Sequence, residues 1–293
     1  MSSHLLTSST SDGKEGLAAL LANPERAVVA LDFDGTLAPI VPDPESARAH
    51  PGAAPALARL APHLAAVAVI TGRPAGVAVR YGGFAGVPGL ERLVVLGHYG
   101  AERWDAVSGE VKSAGDHSGV EAVRAELPGF LDRIGAWRGT WIEDKGRAVA
   151  VHTRRTEDPE AAFEALRGPL TELATRHGLI VEPGRLVLEL RPPGMDKGVA
   201  LASYLREADA GSVLYAGDDL GDLAAFAAVE RLREEGHPGT LVCSGTASGE
   251  VPPELVARSD LVVDGPQGRG GPPQRAGGRA GSALTRGGRG PVR

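Results

Sequence analysis

Three short apolar segments, each followed at once by polar residues, constrain the fold of this chain most strongly. They lie at 27–31, 67–70 and 212–216, and a further apolar run at 93–96 has the same character. Continuous apolar runs of this length are typical of strands that are buried on both faces. Helical spacing separates them, and alternation of strand and helix indicates a parallel sheet covered by helices. The sequence therefore predicts an α/β fold with a doubly wound parallel-sheet core.

The pattern changes between residues 103 and 193. A helical segment at about 119–133 precedes two short alternating strands, and a longer helical segment at 159–177 separates them from two more. This order predicts an antiparallel α+β module inserted into the parallel core. We therefore expect a polar N-terminal arm at 1–25 that can hold a short helix near 17–21, a discontinuous core at 26–102 and 194–265, an inserted domain at 103–193, and a tail at 266–293.

Composition limits the classes of partner. The tail is rich in Gly, Arg and Pro and predicts disorder, while the net charge of −6 leaves the rest of the chain acidic. An acidic body, and a tail without aromatic residues, argue against nucleic-acid binding. The single cysteine, Cys243, excludes an intrachain disulfide and favours a reducing compartment. With no membrane-length apolar run and no signal-peptide pattern, we expect a cytoplasmic protein, monomeric or weakly oligomeric, with no membrane partner.

Polar residues follow the first two strands at the edge where an open parallel sheet binds its ligands. Asp32 and Asp34 come directly after the strand at 27–31, two residues apart, so that both side chains can point the same way. Thr71, Gly72 and Arg73 follow the next strand and offer a hydroxyl and a guanidinium suited to phosphate oxygens. Taken singly, each group has a plainer interpretation, an Asp-Gly turn in the first case and a helix cap in the second.

A third polar group follows the strand at 212–216. Asp218 and Asp219, with Asp222 one turn further on, supply oxygen ligands of the kind that Mg²⁺ prefers. Lys197, at the start of a predicted helix, adds a cation. The same acids could simply cap the helix that follows them, and a lone lysine is usually a solvated charge. The combination of the groups in this order is more specific than any one of them.

In this combination the sequence resembles the haloacid-dehalogenase superfamily of phosphatases and, within it, the trehalose-6-phosphate phosphatase family. The resemblance covers about residues 27–266. It rests on seven motifs: Asp32-Phe33-Asp34-Gly35-Thr36, Ile70-Thr71-Gly72-Arg73, Glu143-Asp144-Lys145, Glu189-Leu190-Arg191-Pro192, Asp196-Lys197-Gly198, Gly217-Asp218-Asp219 and Val262-Val263-Asp264-Gly265-Pro266. It implies a superfamily-like core with the inserted domain as its cap. It also implies Mg²⁺-dependent hydrolysis of trehalose 6-phosphate to trehalose and phosphate, the last step of trehalose biosynthesis.

The resemblance also implies roles for individual residues. Asp32 would be the nucleophile that forms an aspartyl-phosphate, and Asp34 the general acid and base. Lys197 would act in catalysis and bind phosphate together with Thr71 and Gly72. Mg²⁺ would be held by Asp32, the Asp34 backbone carbonyl and Asp218, supported by Asp219 and Asp222. The residues expected to bind substrate are Arg73, Glu143, Lys145, Glu189 and Arg191.

Two features leave the prediction open. Charged residues on antiparallel cap strands are usually a solvated face, and the segment after Asp219 has fewer acids than the family commonly shows. The alternatives are a phosphatase of the same superfamily that acts on sucrose phosphate, mannosyl-3-phosphoglycerate or another sugar phosphate, and a non-catalytic sugar-phosphate sensor that kept the fold.

Overall fold

The computed structural model describes residues 9–266, except 42, 114–116, 185 and 246–250. Its larger sheet has eight strands in the order β12-β11-β10-β1-β2-β3-β4-β5, of which the first six are parallel and β4 and β5 antiparallel. These strands are β1 (Ala27–Leu31), β2 (Ala66–Ile70), β3 (Leu93–Gly97), β4 (Glu102–Asp105), β5 (Val111–Ser113), β10 (Ser212–Gly217), β11 (Gly239–Gly245) and β12 (Leu261–Asp264). The prediction of a parallel α/β core is confirmed.

Helices cover both faces of this sheet because successive strand residues point to opposite sides. In β1, Val28 and Ala30 pack toward α6 (Lys197–Glu207) and α7 (Leu223–Glu234), while Ala27 and Val29 pack toward α2 (Ala53–Leu60) and α3 (Ala75–Gly82). A short helix, α8 (Pro253–Arg258), adds Leu255 to the first of these two cores. The apolar runs in the sequence reflect this double burial.

The sheet order brings the predicted site residues to one edge. Strand β1 lies between β10 and β2, and its last residue, Leu31, pairs with Ala216 on one side and Val69 on the other. Residues just beyond the ends of these three strands must therefore be neighbours. They are the segments that begin at Asp32, Thr71 and Asp218.

The smaller sheet is antiparallel, in the order β6-β7-β9-β8. Its strands are β6 (Trp141–Asp144), β7 (Val149–His152), β8 (Ile180–Gly184) and β9 (Val187–Arg191), and its helices are α4 (Ser118–Arg133) and α5 (Pro159–Arg176). Val149, Val151, Leu188 and Leu190 pack on these helices. By alternation, Glu189 and Arg191 lie on the opposite face, which is polar.

The structure differs from the sequence prediction at the beginning of the chain. Within the predicted polar arm, α1 (Ser11–Ala22) is an ordered helix that packs on β10 and β11, with Leu20 buried and Thr10 as its N-cap. Gly16 makes this possible because a Cβ there would lie 2.0 Å from the carbonyl oxygen of Gly239. The weak apolar pattern of α1 hid its close approach to the sheet.

The larger sheet also extends further along the chain than expected. Strands β4 and β5 continue it to Ser113, beyond residue 102 where we placed the end of the first core segment. The division into core and cap remains a prediction. The predicted disorder of the tail falls, apart from Pro266, outside the described residues. Within the described ranges, no helix is long and apolar enough to cross a membrane.

Candidate active site

The site centres on a buried lysine between two carboxylates. The ammonium of Lys197, at the first turn of α6, lies 2.8 Å from Asp32 Oδ1 and 2.7 Å from Asp222 Oδ1, and only 5% of the residue is exposed. Burial disfavours its charged form, but the Asp222 and Asp32 carboxylates outweigh this and raise the pKa of Lys197 above its usual value. The lysine is therefore a fixed positive charge beside Asp32.

Asp222 organises the site and is fully buried. Its Oδ1 accepts hydrogen bonds from Lys197 and from the hydroxyl of Tyr215, at 2.7 and 2.6 Å. Its Oδ2 accepts from the backbone N–H groups of Asp218 and Asp219, at 3.0 and 3.1 Å. Burial opposes ionisation, yet the Lys197 charge and these bonds lower the pKa of Asp222. All four lone-pair positions of the Asp222 carboxylate accept a hydrogen bond, so Asp222 holds Lys197 and the backbone of Asp218 and Asp219 in place.

The carboxylates of Asp32, Asp218 and Asp222 form a group that could hold a metal ion, with one oxygen of each within 4.8 Å of the others. Oδ1 of Asp218 is buried and has no hydrogen-bond partner among the described residues. Burial, and then the charges of Asp219 and Asp222, raise the pKa of Asp218 to about 8. Because Asp222 is already fully bonded, Asp32 and Asp218 are the carboxylates left to face a cation.

Gly35 allows the loop after β1 to approach this group. Its φ is +80°, in the left-handed region, and a Cβ at this position would lie 1.9 Å from Oδ2 of Asp218. Its carbonyl accepts a hydrogen bond from the hydroxyl of Ser244, at 3.0 Å. No side chain larger than hydrogen fits here unless Asp218 moves, so the Asp-Gly pair is more than a turn signal.

The loop after β2 presents Thr71 to the same edge. Thr71 is buried, and its Oγ1 accepts a hydrogen bond from the backbone N–H of Arg73 at 3.1 Å. That bond uses a lone pair, so the hydroxyl proton can still be donated to an anion. Gly72 lies against Tyr99, because a Cβ at 72 would be 2.7 Å from the Tyr99 hydroxyl oxygen.

The segment after β3 clamps this loop from the other side. The N–H groups of His98 and Tyr99 donate to the carbonyls of Arg73 and Thr71, at 2.9 and 3.0 Å. Both residues have positive φ, 48° and 56°, which is strained backbone for residues other than glycine. Such strain is commonly found at functional sites, and here it coincides with the predicted phosphate-binding loop.

Asp34 and Arg73, for which the resemblance implies separate roles, are paired with each other. Arg73 Nε lies 2.6 Å from Asp34 Oδ2, and Nη2 lies 2.7 Å from Oδ1. The Asp34 carboxylate also raises the pKa of Arg73 against the effect of burial. The structure therefore pairs Arg73 with the predicted acid/base, and its assignment to substrate binding stays a prediction.

Three of the four predicted cap residues are brought together. Lys145 Nζ lies 2.5 Å from Glu189 Oε2, and the guanidinium carbon of Arg191 lies 5.2 Å from the centre of the Tyr99 ring. Glu189 and Arg191 are only 8% and 6% exposed, which excludes the solvated face considered above. Arg191 donates from Nη2 to Glu182, while its Nε and Nη1 are buried without a partner among the described residues.

The fourth cap residue, Glu143, has a different environment. Its carboxylate lies 2.7 Å from His152 Nε2, and this hydrogen bond lowers the pKa of Glu143. The His152 ring stacks on the Trp141 ring, with ring centres 4.3 Å apart. The guanidinium carbon of Arg155 also lies over the Trp141 ring, 4.4 Å from its centre. Glu143 thus has a hydrogen-bond partner of its own in His152, while the charges of Lys145 and Arg73 also lower its pKa.

Sequence reasoning missed two residues of the site, Tyr99 and Tyr215. Tyr215 and Gly217 are two residues apart in β10 and so lie on the same face of the sheet. That face could have been inferred from the sequence, but the hydrogen bond of Tyr215 to Asp222 could not. Tyr99 follows β3 at the same edge of the sheet, but its contacts with Gly72 and Arg191 depend on the left-handed backbone between β3 and β4.

Comparisons with known proteins agree with this geometry. The family model described as trehalose-phosphatase matches residues 30–252. Over 230 residues the chain is 34% identical to a probable trehalose-phosphate phosphatase of Sinorhizobium fredii, covering 75% of this chain and 80% of that one. Over 240 residues it is 38% identical to the trehalose-phosphate phosphatase of Mycobacterium avium, covering 77% of this chain but only 56% of the relative.

Two solved structures have similar folds. The trehalose-6-phosphate phosphatase of Aspergillus fumigatus is 25% identical, with a TM-score of 0.62 and coverage of 89% of this chain and 94% of that one. The C-terminal domain of the Candida albicans trehalose-6-phosphate phosphatase gives a TM-score of 0.67 at 21% identity, with coverage of 90% and 95%. The second match, at this identity, speaks for the fold alone.

Proposed function

Because this chain belongs to the trehalose-phosphatase family, we propose that it hydrolyses trehalose 6-phosphate to trehalose and inorganic phosphate, the last step of trehalose biosynthesis. The observation that carries the proposal is the contact of Lys197 with Asp32 at the edge where Asp218 and Thr71 also lie. A buried carboxylate beside a fixed ammonium and a hydroxyl donor is suited to attack on a phosphate ester.

In the first half of the reaction, a carboxylate oxygen of Asp32 attacks phosphorus and the bond to the sugar oxygen breaks. Asp34 gives its proton to that oxygen, so that trehalose leaves as a neutral alcohol. Lys197 and the Thr71 hydroxyl stabilise the negative charge on the other phosphoryl oxygens. The product on the enzyme is an aspartyl-phosphate.

In the second half, water attacks the phosphorus of the aspartyl-phosphate. Asp34, now a carboxylate, takes a proton from the water, and the bond between phosphorus and the Asp32 oxygen breaks. Phosphate leaves and the Asp32 carboxylate is restored. The two halves use the same pair of carboxylates with the proton on Asp34 before the first and after the second.

We propose Mg²⁺ as the cofactor, held by Asp32, Asp218 and the backbone carbonyl of Asp34, with Asp219 and Asp222 in supporting positions. The unpartnered Oδ1 of Asp218, beside the carboxylate of Asp32, fits a hard cation with oxygen ligands. When bound, the ion supplies positive charge that reduces the repulsion between Asp32 and the phosphate.

Mg²⁺ should raise the melting temperature of the protein, since an ion that binds only the folded state stabilises it. At a hundred times its dissociation constant the gain is about 2.7 kcal/mol, or a shift of about 5 °C for a chain of this size. Asp218→Asn should lose most of this shift in differential scanning fluorimetry at constant ionic strength. Asp209→Asn, at an exposed aspartate far from the cluster, is the control. An equal shift in Asp218→Asn would argue against the proposed ligands.

We propose that Lys145, Glu189 and Arg191 select the sugar, and that Glu143 contributes from its position beside His152. Two buried nitrogens of Arg191, Nε and Nη1, support this, because buried donors without a partner are costly unless a ligand satisfies them. Sugar hydroxyls are suitable acceptors. A site that must pair these groups rejects substrates that leave them unpaired.

The test of the function is Mg²⁺-dependent phosphate release from a substrate panel. With trehalose 6-phosphate, kcat/KM should exceed that with sucrose 6-phosphate, mannosyl-3-phosphoglycerate or glucose 6-phosphate by at least about tenfold. The reason is that a substrate of the wrong shape leaves buried polar groups of the cap without a hydrogen-bond partner. Equal turnover of all four would contradict the assignment to trehalose. Tight binding of trehalose 6-phosphate without phosphate release would favour the sensor instead.

The compartment that we propose is the cytoplasm. Cys243, the only cysteine, is buried and unpaired, as expected of a chain that works in a reducing environment. The proposed substrate is a small sugar phosphate, and we retain a monomer or weak oligomer as the expected state in solution.

A further inference from the structure

Every nitrogen of the Arg73 guanidinium has a hydrogen-bond partner. Nε and Nη2 form a two-bond fork with the Asp34 carboxylate, and Nη1 donates to the carbonyl of Pro44 at 2.9 Å. The group also lies over the rings of Tyr81 and Phe33, at 5.4 and 5.8 Å. These bonds use three of the five N–H donors of the guanidinium, and the fork of Nε and Nη2 that could grip a phosphate is taken up by Asp34.

Asp34, in contrast, needs an external partner to stay in place. Its side chain is 33% exposed and it lies on the loop that leaves β1. The backbone of that loop is fixed by the Gly35 N–H, which donates to the carbonyl of Ala38 at 2.6 Å. That bond does not fix the side-chain torsions of Asp34. The side-chain torsions of Asp34 are fixed by Arg73, which is itself held by two aromatic rings and the Pro44 carbonyl.

We propose that Arg73 is a positioning residue that orients the carboxyl group of Asp34 for both of its proton transfers, and that it does not bind substrate. The inference rests on the proposed function for the role of Asp34 and adds Arg73 to it. Two-bond pairing of arginine and carboxylate fixes the plane of the carboxylate as well as its distance, which a single bond does not.

The pairing is compatible with both forms of Asp34. As a carboxylate, the form that takes a proton from water, Asp34 accepts both bonds of the fork. As a carboxylic acid, the form that protonates the leaving sugar oxygen, it still accepts both bonds, because the hydroxyl oxygen keeps a lone pair for Arg73 while its proton points to the substrate. When that proton leaves, both oxygens carry negative charge and the two bonds to Arg73 become stronger.

The leaving group distinguishes positioning of an acid from binding of a phosphate. A sugar alkoxide is a poor leaving group and needs the proton from Asp34, whereas a 4-nitrophenolate leaves without one. Loss of a phosphate ligand would impair both esters, because they carry the same phosphoryl group. The parameter to compare is kcat/KM, which reports the steps up to the first transfer of the phosphoryl group.

Arg73→Ala should lower kcat/KM for trehalose 6-phosphate about ten- to a hundredfold, the range expected when a reacting group is misplaced by about an ångström. For 4-nitrophenyl phosphate the loss should be several-fold at most, with little change in KM. Arg73→Lys, which keeps the charge and loses the fork, should recover only part of the activity. If a thermal melt shows that Arg73→Ala is unstable, Arg73→Lys replaces it in the comparison of the two esters.

Two controls sharpen the comparison. Arg80→Ala removes an exposed arginine that touches the same Tyr81 ring but not Asp34, and both esters should be hydrolysed as by the wild type. Asp34→Asn shows how far kcat/KM falls when the general acid is absent. On that background, adding Arg73→Ala should cost nothing further if Arg73 acts only through Asp34.

The inference is overturned if Arg73→Ala raises KM and lowers kcat/KM equally for both esters, or if its effect on trehalose 6-phosphate is undiminished in the Asp34→Asn background. Failure of the proposed function looks different. If the wild type hydrolyses another sugar phosphate in preference to trehalose 6-phosphate, the substrate assignment is wrong, and the same comparison with that sugar phosphate still decides the role of Arg73.

Discussion

Asp32→Asn should lower the rate of phosphate release by about 10⁴-fold or more, because the amide that replaces the carboxylate cannot attack phosphorus. The measurement is phosphate release from trehalose 6-phosphate with Mg²⁺ present, beside urea unfolding of the same preparation. Unfolding should change by no more than about 1–2 kcal/mol. Burial already raises the pKa of Asp32, so a neutral amide suits this position, and Lys197 keeps Asp222 as its partner.

The control for this change is Asp12→Asn, on the exposed side of α1 and outside the site. It should leave turnover unaltered. Residual activity of Asp32→Asn near that of the wild type would mean that another group attacks phosphorus, and the mechanism proposed above would be wrong.

Lys197→Met is expected to damage both turnover and stability. The substitution keeps the length of the side chain and removes the charge that lies between Asp32 and Asp222. Removing one partner of a buried ion pair leaves an uncompensated charge, at a cost of about 3–5 kcal/mol in the free energy of unfolding. Turnover should fall by about 10³-fold, because the phosphoryl oxygens lose their fixed positive charge.

Urea unfolding gives the first of these effects, and phosphate release at a temperature where the variant stays folded gives the second. Lys112→Met, at an exposed lysine of β5, is the matched control and should change neither. If Lys197→Met unfolds at the same urea concentration as the wild type, the buried lysine does not neutralise the two aspartates as described here.

The cap illustrates where sequence reasoning needed the structure. Alternation correctly put Glu189 and Arg191 on one face of β9, but alternation cannot tell whether a polar face meets water or another part of the chain. Their burial, and the contact of Arg191 with Tyr99, decide the matter. Glu143 shows the same limit, since its partner His152 comes from the neighbouring strand and not from the motif.

By itself, the sequence determined the α/β architecture and the edge at which the chemistry lies. The reason is local: three apolar runs of strand length end in Asp32, Thr71 and the Asp218 segment, and parallel strands must bring their ends together. Tertiary structure alone decided the partners. Whether Arg73 pairs with Asp34, which groups bond to Asp222, and whether α1 is ordered all depend on contacts between residues far apart in the chain. Such contacts arise from packing and leave no periodicity in the sequence.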